Sequence, residues 1–342
     1  MNPANKRVLW RDIARAIGIS LVVYGHVERG LGAAGLVSRT NFILNSDYAI
    51  YTFHMPLFFL LSGLNVDRSL LKGRKKFIQD KLWLIAYPYF LWSLIQGCVQ
   101  IALASYINSP PTFRRLLEIA WAPIGQFWFL YALFLCHFLS MIFATRIRAL
   151  VPIALISFAC FCLYPHALPG IFSKIEYMFP FYLLGVFLGK RESRTFIKEP
   201  LLPLILALSV TVYTLGVYWG RVASHGTEYN LASIPACLAG ILMIVAISQY
   251  IEHQANWVTN AFVGLGTASM TIFVLHILVG SGARVVLRRL GMIDLPIQVA
   301  VGTLAGIFIP LFGHKVLERY KLLTPIGLAP RRSVRHNQLI PA

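Results

Sequence analysis

The sequence predicts an all-α fold, a polytopic membrane helix bundle of about ten transmembrane helices with both termini cytoplasmic. Three observations carry that expectation. First, 57% of the 342 residues are hydrophobic and 13% are charged, with a mean hydropathy of +0.67; a soluble domain carries about 25% charged residues. Second, the apolar residues gather in runs close to the ~20 residues that a helix needs to cross a hydrocarbon core. Third, the charges cluster between those runs, with 31 Lys+Arg against 13 Asp+Glu and a formal net charge of +18.

The apolar runs lie near 13–35, 45–64, 82–104, 127–145, 150–164, 175–189, 201–219, 231–250, 262–282 and 299–317. The first is interrupted by His26, Glu28 and Arg29, and the fifth is short. With the N-terminus inside, the inner segments hold 22 Lys/Arg and the outer loops 9, so the positive-inside rule sets the orientation. Arg284, Arg288 and Arg289 are outer exceptions that topology leaves unexplained. Lys6, Arg7, Arg11 and Arg15 precede or open the first run with no small-residue cleavage site after it, as expected of an uncleaved span. Residues 1–321 form one membrane domain, and 322–342, with three prolines and three arginines and no periodicity, form a mobile cytoplasmic tail.

In a soluble chain this basic surplus would point to nucleic acid. Here the basic residues sit at the ends of apolar runs, so membrane lipids are the expected partners and no nucleic acid is. The five cysteines all fall in apolar runs without the spacing of a zinc site or a loop disulfide, and no metal is expected.

Ionisable groups inside a bilayer are costly, so each is a functional candidate. In the first span Arg15 and His26 stand 11 residues apart, which places them on one helix face about 16.5 Å apart along the axis. Asp12 shares the stripe and can pair with Arg15 at i, i+3. Arg15 taken alone reads as a side chain snorkelling to headgroups. His26 reads as a general base, since imidazole titrates near neutrality and an attacking hydroxyl must lose its proton. In the second span Pro56 denies a donor to the Thr52 carbonyl and should kink the helix beside His54, with Asp47 seven residues earlier on the same face. His54 reads equally well as structural. The run that follows, with Arg68, Lys72, Arg74, Lys75, Lys76 and Lys81, reads either as topology and headgroup contact or as a dock for a polyanion such as the phosphates of coenzyme A. Trp128 opens the fourth span as an interfacial anchor, Glu176 sits at the outer mouth of the sixth, and His276 falls in the outer half of the ninth. His137 reads as a satisfied buried polar group.

Taken in order, several of these pieces form a pattern. Arg15 and His26 are separated by ten residues. A Phe-His-Met-Pro-Leu-Phe-Phe … Ser-Gly run spans 53–63. A basic stretch leads into Pro88-Tyr89-x-x-Trp92, a Trp-Phe-Leu element lies at 128–130, and a Ser … His element at 269–276. The set, covering about 10–317, resembles the acyltransferase-3 family of multi-spanning membrane acyltransferases, which includes bacterial O-acetylases of surface polysaccharides. The ending of Leu-Val-Val-Tyr-Gly-His at 21–26 is similar to the branch of sugar (fucose-type) O-acetylases.

The resemblance implies a chain in the bacterial cytoplasmic (inner) membrane. It implies acetyl-CoA as donor on the cytoplasmic side and a sugar or glycan acceptor reached from outside. The family's essential His maps to His26 and its paired Arg to Arg15. Where family members often carry Arg-x-x-Arg after the second span, this chain has Arg68 … Lys72-Gly73-Arg74-Lys75-Lys76, so the donor-binding set (Arg15, Arg68, Arg74, Lys75, Lys76, Lys81 and Trp128) is not carried over residue by residue. In the expected mechanism the donor's pantetheine arm reaches up between helices to His26. Asp47, His54, Glu176 and His276 are candidates for orienting or charging that imidazole, and Trp128 or His54 for donating to the oxyanion. A covalent acyl-histidine is a second route. Two other classes fit the residues alone: a secondary transporter or flippase for a sugar or lipid-linked glycan, and an envelope assembly or sensor protein whose polar groups join helices.

Overall fold

The computed structural model describes residues 8–36, 41–106, 111–143, 146–163, 170–190 and 196–330. Among these there is no strand, and fourteen α-helices follow one another. They are α1 Leu9–Ala33, α2 Asn41–Gly63, α3 Val66–Leu70, α4 Arg74–Lys81, α5 Tyr87–Ala102, α6 Phe113–Leu117, α7 Trp128–Ile142, α8 Leu150–Leu163, α9 Ile171–Gly189, α10 Leu202–Ala223, α11 Ile234–Gln254, α12 Trp257–Thr267, α13 Ser269–Arg289 and α14 Leu295–Arg319. A π-helical stretch, Leu82–Ala86, joins α4 to α5.

Eight helical segments are long and apolar enough to cross a bilayer. The two further runs expected from sequence are α1, whose charges lower its hydropathy, and the shorter α8. The polarity of the molecule is inverted relative to a soluble protein. Leu204, Leu215 and Tyr218 of α10 and Phe312 of α14 are exposed, whereas Arg11, Asp12, Glu28, His54 and His276 are buried. With exposed apolar faces on its outer helices, the chain is an integral membrane protein.

Charge is tolerated on α1 because this helix packs against α2, α11, α12, α13 and α14 and meets protein on most of its surface. Glycine fixes how closely some neighbours approach. A Cβ at Gly63, Gly185 or Gly189 would collide with backbone where α2 crosses α9, and one at Gly266 would collide with the Asp12 carbonyl. Local signals set several ends: the Asn256 side chain caps α12 by accepting from the amides of Val258 and Thr259, and Gly73, at φ 91°, separates α3 from α4.

The ninth run differs from expectation. The chain breaks at Ala268, so 262–267 belong to α12 and the long helix is Ser269–Arg289. His276 is therefore the eighth residue of a 21-residue helix. Apolar character runs through both helices, so hydropathy cannot register the break; two residues before it, Gly266 lies against the Asp12 carbonyl of α1. Arg284, unexplained by topology, donates from Nη1 to the Gly30 carbonyl at 2.6 Å. In the segment expected as a tail, residues 322–330 lie against the start of α5. Tyr87 Oη donates to the Pro325 carbonyl at 2.8 Å and Trp92 Nε1 to that of Ile326 at 3.2 Å. Residues 331–342 lie outside the described residues.

Candidate active site

The register of three helices builds the site. On α2, antiparallel to α1, Asp47 faces Arg29, Ser46 faces Glu28, Tyr51 faces Gly25 and Phe58 faces Gly18. This register places His54 on the Arg15 side of His26. On α13, parallel to α1, Arg284 meets Gly30 and Gly280 meets Val27. This sets His276 beside His26, with ring centroids 5.1 Å apart. Tyr51 completes the group: its ring is edge-on to His54 at 4.7 Å and to His26 at 6.3 Å.

Two of the imidazoles are held in a defined tautomer. His54 Nδ1 lies 2.8 Å from the Ile50 carbonyl, and His276 Nδ1 lies 2.8 Å from that of Phe273 and 3.1 Å from that of Ile272. A carbonyl only accepts, so in each neutral ring Nδ1 carries the proton and Nε2 is left as an acceptor. His276 Nε2 is buried with no protein partner. His26 differs from both. It is half-buried, and neither nitrogen bonds to a protein group among the described residues.

Above this cluster lies an ionic network that motif spacing does not reveal. Arg29 donates from Nε to Asp47 Oδ1 at 2.6 Å and from Nη2 to Oδ2 at 2.9 Å, and it also pairs with Glu228. Its guanidinium carbon lies 3.2 Å from the centroid of the Tyr51 ring. Asp47 is thus bound to Arg29 and not to His54. Helical periodicity put Asp47 and His54 on one face, but the strongest cation within reach arrives from α1. Glu176 is buried on α9 with one carboxylate oxygen unpartnered, and among the described residues no contact joins it to the imidazoles. Trp128, half-buried, begins α7 next to Phe129, which packs on Phe58, Phe59 and Phe273. Lys174 Nζ lies 4.2 Å from its ring centroid. His137 is hydrogen-bonded to Tyr182 Oη at 2.9 Å.

At the other end of α1, Arg15 Nη1 donates to Asp12 Oδ1 at 2.8 Å, as the i, i+3 spacing predicts. Arg11, one of the basic residues around the start of the first run, is buried and donates from Nη1 to Asn65 Oδ1 at 2.9 Å. Arg68 is within electrostatic reach of Arg11, and Arg15 and Lys72 within reach of Lys81. The basic run of α4 divides by face. Lys81 is half-buried, its ammonium 5.3 Å from the ring centroid of the buried Phe77. Arg74, Lys75 and Lys76 are exposed, and Lys76 Nζ pairs with Asp80 at 2.7 Å. Lys76, Trp83, Tyr87 and Pro330 line a cleft of 460 Å³ on the face of α4 turned away from Lys81. No group of three or more His, Cys, Asp or Glu arranged to hold a metal occurs among the described residues.

A bundle whose central helix carries a basic end and, farther along, meets two further imidazoles beside its own defines a membrane protein with ionisable groups gathered within its helices. The model of a family described as an acyltransferase domain matches residues 8–314, and the chain belongs to this family, the acyltransferase-3 family of membrane acyltransferases. Among curated proteins it is similar to the nodulation protein NolL of Mesorhizobium japonicum, 28% identical over 226 residues, covering 64% of this chain and 58% of that protein. It is also similar to NolL of Sinorhizobium fredii, 26% identical over 223 residues, covering 64% of this chain and 59% of that one. The chain thus spans somewhat more than half the length of these relatives. No solved structure matches.

Proposed function

We propose that the protein is an O-acyltransferase of the bacterial inner membrane, moving an acetyl group from cytoplasmic acetyl-CoA to a hydroxyl of a sugar or glycan on the outer side. One observation carries this reading: His26, with neither nitrogen bonded to a protein group, stands against His276 within the bundle, on the same helix as Arg15 and about 16.5 Å farther along the axis. Coenzyme A is too polar to cross the bilayer, but its pantetheine arm is long and thin. With its phosphates at the basic end, near Arg15, Arg68 and Lys81, the thioester reaches the imidazole cluster between helices. Both termini are then cytoplasmic, and the Arg29 network faces the acceptor side.

In this mechanism His26 takes the proton of the acceptor hydroxyl as its oxygen attacks the thioester carbonyl. His276 Nε2, an acceptor fixed by its own Nδ1–H, stands beside the ring, and a turn of the His26 imidazole as the substrates bind brings its other N–H onto that acceptor and orients it. His54 stands on the donor side of His26. The departing thiolate recovers the proton from His26. No metal enters the mechanism. The acceptor class includes surface polysaccharide, lipid-linked sugar and oligosaccharide.

The test uses radiolabelled acetyl-CoA with purified protein and glycan extracted from cells lacking the gene. The native protein transfers label, and His26→Ala, inserted at the native level, does not. Transfer by His26→Ala at the native rate removes the mechanism, and absence of transfer by the native protein to any glycan removes the function. Mass spectrometry of surface glycans with and without the gene identifies the acceptor.

A further inference from the structure

We infer that Tyr51 is a further catalytic residue, its hydroxyl donating a hydrogen bond to the oxygen of the carbonyl undergoing transfer. The inference rests on the acyltransfer reading above and adds the group that stabilises the tetrahedral intermediate, a role for which sequence suggested Trp128 or His54. Three observations carry it. The Tyr51 side chain is 7% exposed, and its Oη is buried without a hydrogen-bond partner. A phenol in a bundle interior ordinarily finds a partner, so an unmatched one beside a reactive imidazole is a donor awaiting a ligand. The hydroxyl also lies against α1 one residue from His26: a Cβ at residue 25 would stand 3.2 Å from Oη and 2.8 Å from Cε2, and the Tyr51 and His26 ring centroids are 6.3 Å apart. Only glycine at 25 lets the ring lie flush against α1 at that level. Finally, the ring is clamped. The Arg29 guanidinium covers it at 3.2 Å from the centroid, and Asp47 and Glu228 hold Arg29 in place.

Tyr51 Oη has a complement. His276 Nε2 is the other unpartnered buried atom at His26, and it is an acceptor where Tyr51 is a donor. A transferring acyl group needs both kinds of group, an acceptor side to relay the hydroxyl proton and a donor for the oxygen that gains charge. In the step, the acceptor O–H bond breaks and its proton goes to a His26 nitrogen. A C–O bond forms at the thioester carbonyl, whose π electrons move onto oxygen, where the Tyr51 O–H donates without giving up its proton. Collapse restores the C=O bond and breaks the C–S bond, and the thiolate takes the proton from His26.

The experiment compares native protein, Tyr51→Phe and His26→Ala in steady-state transfer of acetyl from acetyl-CoA to glycan, with thermal unfolding of each in detergent. Tyr51→Phe deletes one oxygen that has no protein partner, so the unfolding temperature should hold. The expected kinetic result is a kcat lowered about 10²-fold or more, with KM for both substrates kept within about threefold. An unchanged kcat overturns the inference, as expected if a water molecule merely bridges Tyr51 and His276. So does a rise in acceptor KM alone, which assigns the hydroxyl to ground-state binding, and so does a lowered unfolding temperature, which assigns it a structural partner. His26→Ala separates the two readings. If it is inactive while Tyr51→Phe is fully active, only the role of Tyr51 falls; if it is as active as native, the transfer mechanism falls as well.

Discussion

His276→Phe tests whether His26 works alone or through the neighbour that α13 brings to it. The substitution keeps a ring of similar size in a site that is 2% exposed, so no large cavity opens. It removes the Nδ1–H bonds to Phe273 and Ile272, whose carbonyls lie within the helix, and deletes the Nε2 acceptor beside His26. A positioned acid–base group contributes about 10²–10⁴-fold to rate. His276 acts on His26 and not on the substrate, so the lower end applies: a loss in kcat of about 10²-fold, or about 2.7 kcal/mol of transition-state stabilisation. Because the ring touches neither the basic end nor the acceptor mouth, both KM values should stay near native. The assay is acetyl transfer at saturating donor across a pH series, since an imidazole that loses its orienting acceptor changes the pH–rate profile as well as its height. A native kcat with a native profile would refute the reasoning, and a loss confined to KM would place His276 in substrate binding.

Further outcomes follow from the same geometry. Lys81→Ala should raise KM for acetyl-CoA about tenfold, in a salt-dependent manner, whereas Lys76→Ala, outward-facing and paired with Asp80, should leave it unchanged; equal effects would deny the division of the basic run by face. Asp47→Asn weakens a bidentate ion pair whose side chains are 42% and 26% exposed, so thermal unfolding should register a loss of about 1 kcal/mol or less. Gly185→Leu puts a branched side chain where α9 meets the Leu60 carbonyl of α2, and the variant should fail to give a monodisperse peak on fluorescence-detected size exclusion; a native profile would show that the crossing can open.

Much of the architecture was legible because its signals are one-dimensional. Each of the ten runs has a helix at its core, since hydrophobic length and charge clustering are read directly from the chain. The Asp12–Arg15 pair was legible as a local spacing, and His137 as a buried polar group that finds a partner. The ninth run was displaced by about two turns, because α12 and α13 are both apolar and hydropathy does not register the break between them. Asp47 was assigned to the imidazoles because periodicity sees only its own helix, while its partner Arg29 stands on another. Arg29 and Tyr51 carried no motif of their own. Their importance appears only once α1 and α2 are laid side by side.

The amino-acid sequence by itself determined that this chain lives in a membrane, that it belongs among multi-spanning acyltransferases, and that His26 is its most conspicuous interior base. Membrane residence and the prominence of His26 follow from length, composition and spacing along single helices, and the family from the resemblance of several motifs taken in order. The tertiary structure decided which groups surround that base: His276, 250 positions away in the chain, the Tyr51 ring pressed against Gly25, and Arg29 held by Glu228 across 199 residues. The physical reason is that helix register is fixed by close packing, here by glycines that let backbones and rings approach, and a polar group in a bundle pairs with whatever that register brings within reach.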